Sequence, residues 1–192
     1  MKMTMISTFR RRAAQGFTLI ELLIVVIIIA ILAAIAIPQF ANTSNDAQEA
    51  ALDANLSTVR SAIELYRVQH NNRYPSVAAA TGGGDACTTA GGVLGTGAVN
   101  TEVAFREQLT GFSNQLGQTC SITAAGFIYG PYLRTMPAEP ISNSNALAVV
   151  TAANAAEPNA ATPGWRFNNA TGKFQANSNA PGRDTARLLS AH

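Results

Sequence analysis

The sequence is poor in the residues on which most enzymes and nucleic-acid-binding proteins depend. Charged residues form only 12 % of the 192 residues, and the chain has two histidines, two cysteines and one tryptophan. Four of its thirteen basic residues lie before Phe17, which leaves nine basic against eleven acidic residues. Because no basic patch remains, we expect no nucleic acid among its partners.

The chain also lacks a catalytic or metal-binding pattern. His70 closes a polar segment and His192 is the last residue, so neither is a convincing general base. The acidic residues beyond the first third are scattered without pairing; they are Asp85, Glu102, Glu107, Glu139, Glu157 and Asp184. Two cysteines without nearby histidines or further cysteines do not form a zinc site. We therefore expect no enzyme activity, no cofactor and no metal.

A long apolar stretch stands near the N-terminus. Residues 22–37 carry no charged or strongly polar side chain, and with residues 17–20 they approach the roughly 20 residues that cross a bilayer. Arg10–Arg12 should stay in the cytoplasm, placing everything after the stretch on the far side. A signal peptide cut after Ala34-Ile35-Ala36 and a plain signal anchor are alternative interpretations. Glu21 argues against both, since a carboxylate in such a stretch is costly and usually functional.

The segment Gly16-Phe17-Thr18-Leu19-Ile20-Glu21 resembles the prepilin cleavage and methylation motif of type IV pilins, secretion pseudopilins and competence pseudopilins. The resemblance implies that a prepilin peptidase removes residues 1–16 by cutting between Gly16 and Phe17, and that Phe17 is then N-methylated. It also implies that Glu21 pairs with the Phe17 amine of a neighbouring subunit during assembly. Glycine suits the cut because it lets a protease approach the backbone closely.

The pattern after the apolar stretch predicts the second half of one long helix. Apolar residues recur at spacings of four, three, four and three; they are Leu52, Leu56, Val59, Ile63 and Tyr66. The predicted helix runs from Phe17 to about Asn71, with a transmembrane or filament-core half at residues 17–38 and an amphipathic half at residues 39–73. Pro38 should kink or loosen it, because proline removes a backbone donor.

The remainder predicts a small antiparallel sheet and hence an α+β, pilin-like fold. Residues 74–126 form the region between helix and sheet, with a short helix at 102–109, and residues 127–177 hold the sheet. Residues 178–192 form a C-terminal tail.

Three strands are predicted within the sheet, at residues 146–151, 165–167 and 173–176. A glycine-ended turn joins the last two in a hairpin. Trp165 and Phe167 should pack on the apolar positions of the long helix.

Cys87 and Cys120 both fall in the predicted extracytoplasmic part. An oxidising compartment favours a disulfide between them, and two buried thiols are the alternative.

A second resemblance concerns the head. Gly130-Pro131-Tyr132-Leu133 is similar to the G-type major pseudopilins of type II secretion. Some of those proteins hold calcium in an acidic C-terminal loop, but here Asp184 is the only acid after Glu157, so no calcium site is carried over.

These features predict a structural subunit that polymerises into a pilus-like filament, as a pseudopilin of a type II secretion-like system. A type IV pilus subunit for adhesion, motility or DNA uptake is one alternative, and a membrane-anchored extracytoplasmic binding module is another. The resemblance implies as partners other pilin-like subunits, the prepilin peptidase, membrane lipid and an inner-membrane assembly platform with a cytoplasmic ATPase. It places the chain in the inner membrane as a single-pass protein and later in a periplasmic or extracellular filament.

Overall fold

The computed structural model describes residues 17–155 and 164–178, and for residues 38–43 it describes the backbone without side chains. In this part of the chain there are three helices and five short strands. The chain divides into two compact units, Met1–Thr43 and Ser44–His192.

Helix α1 spans Leu19–Gln69, close to the predicted limits of Phe17 and Asn71. It continues through Pro38, whose predicted kink stays a prediction. The helix ends where Asn71 and Asn72 both adopt positive φ angles (54° and 61°), a conformation that asparagine tolerates better than most residues.

The apolar positions predicted on the second half of α1 are buried and begin the core of the second unit. Each is at most 1 % exposed; they are Leu52, Leu56, Val59, Ile63 and Tyr66. Trp165 and Phe167 join them in one apolar cluster, as predicted, together with Phe105 of helix α3 (Glu102–Thr110). The Phe105 and Phe167 rings lie 4.7 Å apart. The buried indole N–H of Trp165 donates to the Pro137 carbonyl at 2.8 Å.

The three predicted strands form one sheet in the order β3–β4–β5, with β3 at Leu147–Val150, β4 at Trp165–Asn168 and β5 at Phe174–Ala176. Strands β4 and β5 form the predicted antiparallel hairpin. Strand β3 pairs with β4 in parallel, which departs from the purely antiparallel sheet expected from the sequence. The long connection at residues 151–164 makes this possible, because parallel neighbours need a crossover rather than a tight turn.

The region between α1 and the sheet is more ordered than a loop. Helix α2 (Asp85–Thr89) and helix α3 occupy it, the latter close to the predicted 102–109. Strands β1 (Phe112–Ser113) and β2 (Thr119–Cys120) pair antiparallel, so sheet structure begins before residue 127, contrary to the predicted boundary. Strands of two residues leave no alternating pattern in the sequence, which explains why they were not predicted.

Buried polar bonds hold this region together. Gln108 of α3 is fully buried; its Nε2 donates to the carbonyls of Ala78 and Gly117 at 2.9 and 2.8 Å, and its Oε1 accepts the Ser76 N–H at 2.6 Å. Three of its bonding positions are thereby used to connect segments that are distant in sequence. Such a fully paired amide is the condition under which a polar group can be buried without a large penalty.

The Gly130-Pro131-Tyr132-Leu133 segment packs against the ends of α1 and α3. The Tyr132 and Leu133 N–H groups both donate to the Leu109 carbonyl at 2.9 Å, and the Tyr132 hydroxyl donates to Gln69 Oε1 at 2.6 Å. Gly130 has a φ of 80°, and a Cβ added to it would stand 2.6 Å from the carbonyl oxygen of Gly111. Glycine is therefore required at this position.

Candidate functional site

Thr18 and Glu21 form a reciprocal cap at the start of helix α1. The Thr18 main-chain N–H and hydroxyl donate to Glu21 Oε2 at 2.8 and 2.7 Å, and the Glu21 N–H donates back to Thr18 Oγ1 at 3.3 Å. This is a capping box, which satisfies main-chain donors that the first helical turn otherwise leaves unpaired. The sequence carries its signature, a threonine followed three residues later by a glutamate, but sequence reasoning did not identify the cap.

The Glu21 carboxylate stands at the beginning of a wholly apolar helical surface. Every large apolar side chain from Phe17 to Ile37 is at least 49 % exposed, and Phe17 itself is 88 % exposed. By length and composition, Leu19–Ile37 could cross a membrane, and among the described residues it is the single helix that meets this test. An apolar surface this large marks contact with lipid or protein, because water is an unfavourable environment for it.

The predicted processing site is only partly within the described residues. Gly16 and Arg10–Arg12 lie outside them, so the structure gives no geometry for the predicted cut. Phe17 lies just before α1, and Glu21 lies in its first turn, one turn further along. Cleavage before Phe17 and its N-methylation therefore stay predictions.

Cys87 and Cys120 are joined by a disulfide, as the oxidised alternative expects. Both are buried, and they pack with Phe127 in a small apolar cluster that is separate from the main core. The bond connects helix α2 to strand β2 across 33 residues. Its formation in the native compartment stays a prediction.

His70 lies in an aromatic cluster at the C-terminal end of α1 rather than in a catalytic arrangement. Its ring stacks on Tyr66 at 3.7 Å, Nδ1 lies 2.8 Å from the Tyr66 carbonyl, and Nε2 lies 3.0 Å from Ser113 Oγ. Burial lowers the pKa of His70. Burial also raises the pKa of Tyr66, and it raises that of Tyr132 to about 12. Both tyrosines therefore stay neutral, and His70 serves to join helix α1 to strand β1.

Two of the scattered acidic residues are used by their own loops. Glu107 accepts the N–H groups of Thr96 and Gly97 at 2.8–3.0 Å. Glu139 is buried and accepts the N–H groups of Ile141 and Ser142 at 3.0 and 2.6 Å, together with the Ser142 hydroxyl. These carboxylates fix turns, and no group of three or more potential metal ligands occurs in residues 17–155 and 164–178.

Comparison with known proteins bears on the N-terminal site. Residues 11–37 match the prokaryotic N-terminal methylation motif. The chain is 52 % identical over 56 residues to the type IV narrow pilus major component PilA5 of Thermus thermophilus. The aligned segment covers 29 % of the chain and 48 % of that protein. It is 36 % identical over 67 residues to the type II secretion system core protein G of Pseudomonas aeruginosa, covering 35 % of the chain and 46 % of that protein. The core protein G of Klebsiella michiganensis is 31 % identical over the same length.

These matches, the motif and the exposed apolar helix are features of the pilin and pseudopilin class, which the N-terminal part of this chain resembles, and the fold is the expected α+β fold. The relatives are structural subunits and not enzymes, which agrees with the absence of a catalytic pattern in the sequence. They belong to two systems, so they support a subunit role without choosing between them. The chain spans about half the length of the relatives it matches. No solved structure matches it significantly.

Proposed function

We propose that the chain is a membrane-anchored subunit that polymerises into a pilus-like filament. The observation that carries the proposal is the apolar surface of Leu19–Ile37, none of which is buried within the chain. Lipid covers this surface before assembly, and the same surface of neighbouring subunits covers it in the filament. Moving this apolar surface from contact with lipid to contact with other subunits costs little free energy, because both surroundings are apolar. Transfer from membrane to filament is therefore thermodynamically feasible.

Glu21 directs this transfer. In the single chain its carboxylate is bonded by Thr18 and by no positive group in the described residues. Cleavage after Gly16 creates a positive amine on Phe17, and that amine in an adjacent subunit is the partner we assign to Glu21. A carboxylate at the edge of a bilayer gains most from such a partner, because the surroundings screen the attraction less than water does.

Photocrosslinking in the native host tests polymerisation. A photoreactive residue replaces Ile28, which is 52 % exposed and lies in the middle of the apolar surface. We expect adducts of two or more copies of this chain when the assembly ATPase is present, and mainly lipid adducts when it is deleted. Lipid adducts alone in both strains would favour the anchored binding module and contradict the proposal.

Precursor processing has its own test. Intact-mass analysis of the chain from host membranes should give a protein that begins at methylated Phe17. A chain beginning at Ile37 would instead indicate the signal-peptide interpretation, and an uncut chain would indicate a plain anchor.

For the system that uses the filament, we propose a type II secretion-like machine, in which the chain is a pseudopilin. The core protein G matches and the Gly130-Pro131-Tyr132-Leu133 segment support this choice. The higher identity to a type IV pilus component supports the alternative of a surface pilus. Deletion of the gene should remove secreted proteins from the medium; loss of sheared surface pili with unchanged secretion would favour the pilus.

A further inference from the structure

Residues 128–132 form a flap beside the C-terminal end of α1. The residues on either side of it, Phe127 and Leu133, are buried in two different apolar clusters and anchor its ends. None of the five residues between them is buried, although two are tyrosines. A segment with few buried contacts between fixed ends opens at a lower free energy than the core, so the flap is suited to local opening.

Hydrogen bonds to three other segments hold the flap closed. Tyr129 exchanges two main-chain bonds with Ser113 of strand β1, at 2.8 and 3.1 Å. The Tyr132 N–H donates to the Leu109 carbonyl at 2.9 Å, and the Tyr132 hydroxyl donates to Gln69 Oε1 at 2.6 Å. Opening of the flap breaks these bonds but leaves β1 paired with β2.

His70 lies beside the flap and is only 1 % exposed. The ring centroids of Tyr129 and Tyr132 lie 5.3 and 6.2 Å from that of its imidazole. The Tyr66 carbonyl can only accept a hydrogen bond, so His70 Nδ1 carries the proton. In the neutral ring Nε2 then accepts the Ser113 hydroxyl. Both ring nitrogens are therefore bonded while the flap is closed.

The surroundings of His70 offer little support to a positive charge. The groups that face it are neutral; they are Tyr66 on α1, Ser113 and the Asn114 carbonyl at strand β1, and Tyr129 and Tyr132 on the flap. In the described part of the chain His70 forms no ion pair, and the charged group that acts on the neighbouring Tyr66 is the cationic Arg73. Burial lowers the pKa of His70 and outweighs the carbonyls of Tyr66 and Asn114, which favour the charged ring.

We propose that His70 and residues 128–132 form a pH-sensitive latch, in which protonation of the buried imidazole favours the open flap. With the flap open, Nε2 takes up its proton in contact with water, and the charge no longer has to be buried. A histidine that regains a pKa of roughly 6.5 on opening makes opening up to about tenfold more favourable at pH 5.5 than at pH 7.5. The chain thus responds to mild acid by a local opening while the three-stranded sheet stays folded.

Hydrogen exchange of the full chain in detergent micelles tests the latch, after correction for the intrinsic pH dependence of exchange. We expect the Tyr129 and Tyr132 amides to be less protected than those of strand β5 and insensitive to low concentrations of urea, as in local opening. Their protection should fall up to about tenfold between pH 7.5 and 5.5. Flap amides that match β5 in protection and in urea dependence would show that only global unfolding exposes them, and would overturn the proposal.

Two variants assign the pH response to His70. His70→Gln has no titrating ring, so the flap amides should be equally protected at both pH values in this variant. His192→Gln, which replaces the other histidine of the sequence, is the matched control and should keep the wild-type fall in protection. Circular dichroism establishes that each variant is folded. A fall in protection that persists in His70→Gln would contradict the proposal.

A measurement on the wild type does not depend on the folding of a variant. Carbon NMR of the imidazole follows the protonation of His70, and its midpoint should coincide with the pH at which the flap amides lose protection. Protonation of His70 with unchanged protection of the flap would likewise contradict the latch.

Discussion

The main-chain N–H and the hydroxyl of Thr18 both donate to one carboxylate oxygen of Glu21, at 2.8 and 2.7 Å. The residue assigned to assembly therefore also stabilises the start of its own helix. Because the cap fixes the carboxylate at the first turn of α1, it holds Glu21 close to the position of Phe17. Thr18 is accordingly a positioning residue for Glu21.

Loss of the Thr18 hydroxyl should loosen this helix start. Thr18→Val removes two of the three bonds between the residues, and amide hydrogen exchange over Leu19–Leu22 in micelles should become roughly fivefold faster. Thr18→Ser keeps the hydroxyl and is the matched control. Equal exchange rates in Thr18→Val and the wild type would mean that the capping box does not hold this turn in solution.

The disulfide should contribute substantially to the stability of the second unit. Cys87 and Cys120 are 33 residues apart, and closing such a loop restricts the unfolded chain by roughly 3–4 kcal/mol. The double variant Cys87→Ser/Cys120→Ser should lose about this free energy of unfolding in chemical denaturation. The wild type treated with reductant should behave like the variant. A wild-type stability unaffected by reductant would indicate free thiols.

The buried positions of α1 provide a prediction about the core. Leu56 is 1 % exposed and contacts the apolar cluster of the second unit, so Leu56→Ala should cost about 2–5 kcal/mol. Leu65 lies on the same helix but is 51 % exposed, so Leu65→Ala should change the free energy of unfolding by only about 0.5 kcal/mol. Equal costs for the two variants would show that the helix does not pack as described.

His70 should make the folded chain sensitive to mild acid. Burial lowers its pKa in the folded state, so the unfolded chain binds the proton more readily and stability falls as the pH drops below the unfolded value of roughly 6.5. The free energy of unfolding should therefore decrease between pH 7.5 and 5.5. His70→Gln should reduce this decrease, while the titration of carboxylates at lower pH remains. An unchanged slope in the variant would contradict a buried neutral imidazole.

The long helix and the hairpin could be predicted from the sequence because each shows its own pattern of apolar residues over a short stretch of chain. The spacing of Leu52, Leu56 and Val59 follows the helical repeat, and the alternation around Trp165 and Phe167 follows that of a strand. The parallel pairing of β3 could not be predicted, since it depends on which strands meet across the connection at residues 151–164. Strands β1 and β2 are too short to carry a pattern.

The N-terminal site was predicted in part because its motif is also local in the sequence. Phe17 and Glu21 belong to a short contiguous motif, whereas the hydrogen bonds of Gln108 depend on residues brought together only by folding. The Thr18–Glu21 cap was readable from its spacing and was overlooked because the assembly role already accounted for Glu21.

We propose that Glu21 drives the passage of the subunit from membrane to filament. The most direct measurement compares the membrane content and the filament yield of Glu21→Ala with those of the wild type in the native host. Glu64→Ala is the matched control, because Glu64 is exposed on the same helix outside the apolar surface. We predict that Glu21→Ala inserts into the membrane normally but forms no filaments, while Glu64→Ala assembles. Wild-type filament yield in Glu21→Ala would contradict the account.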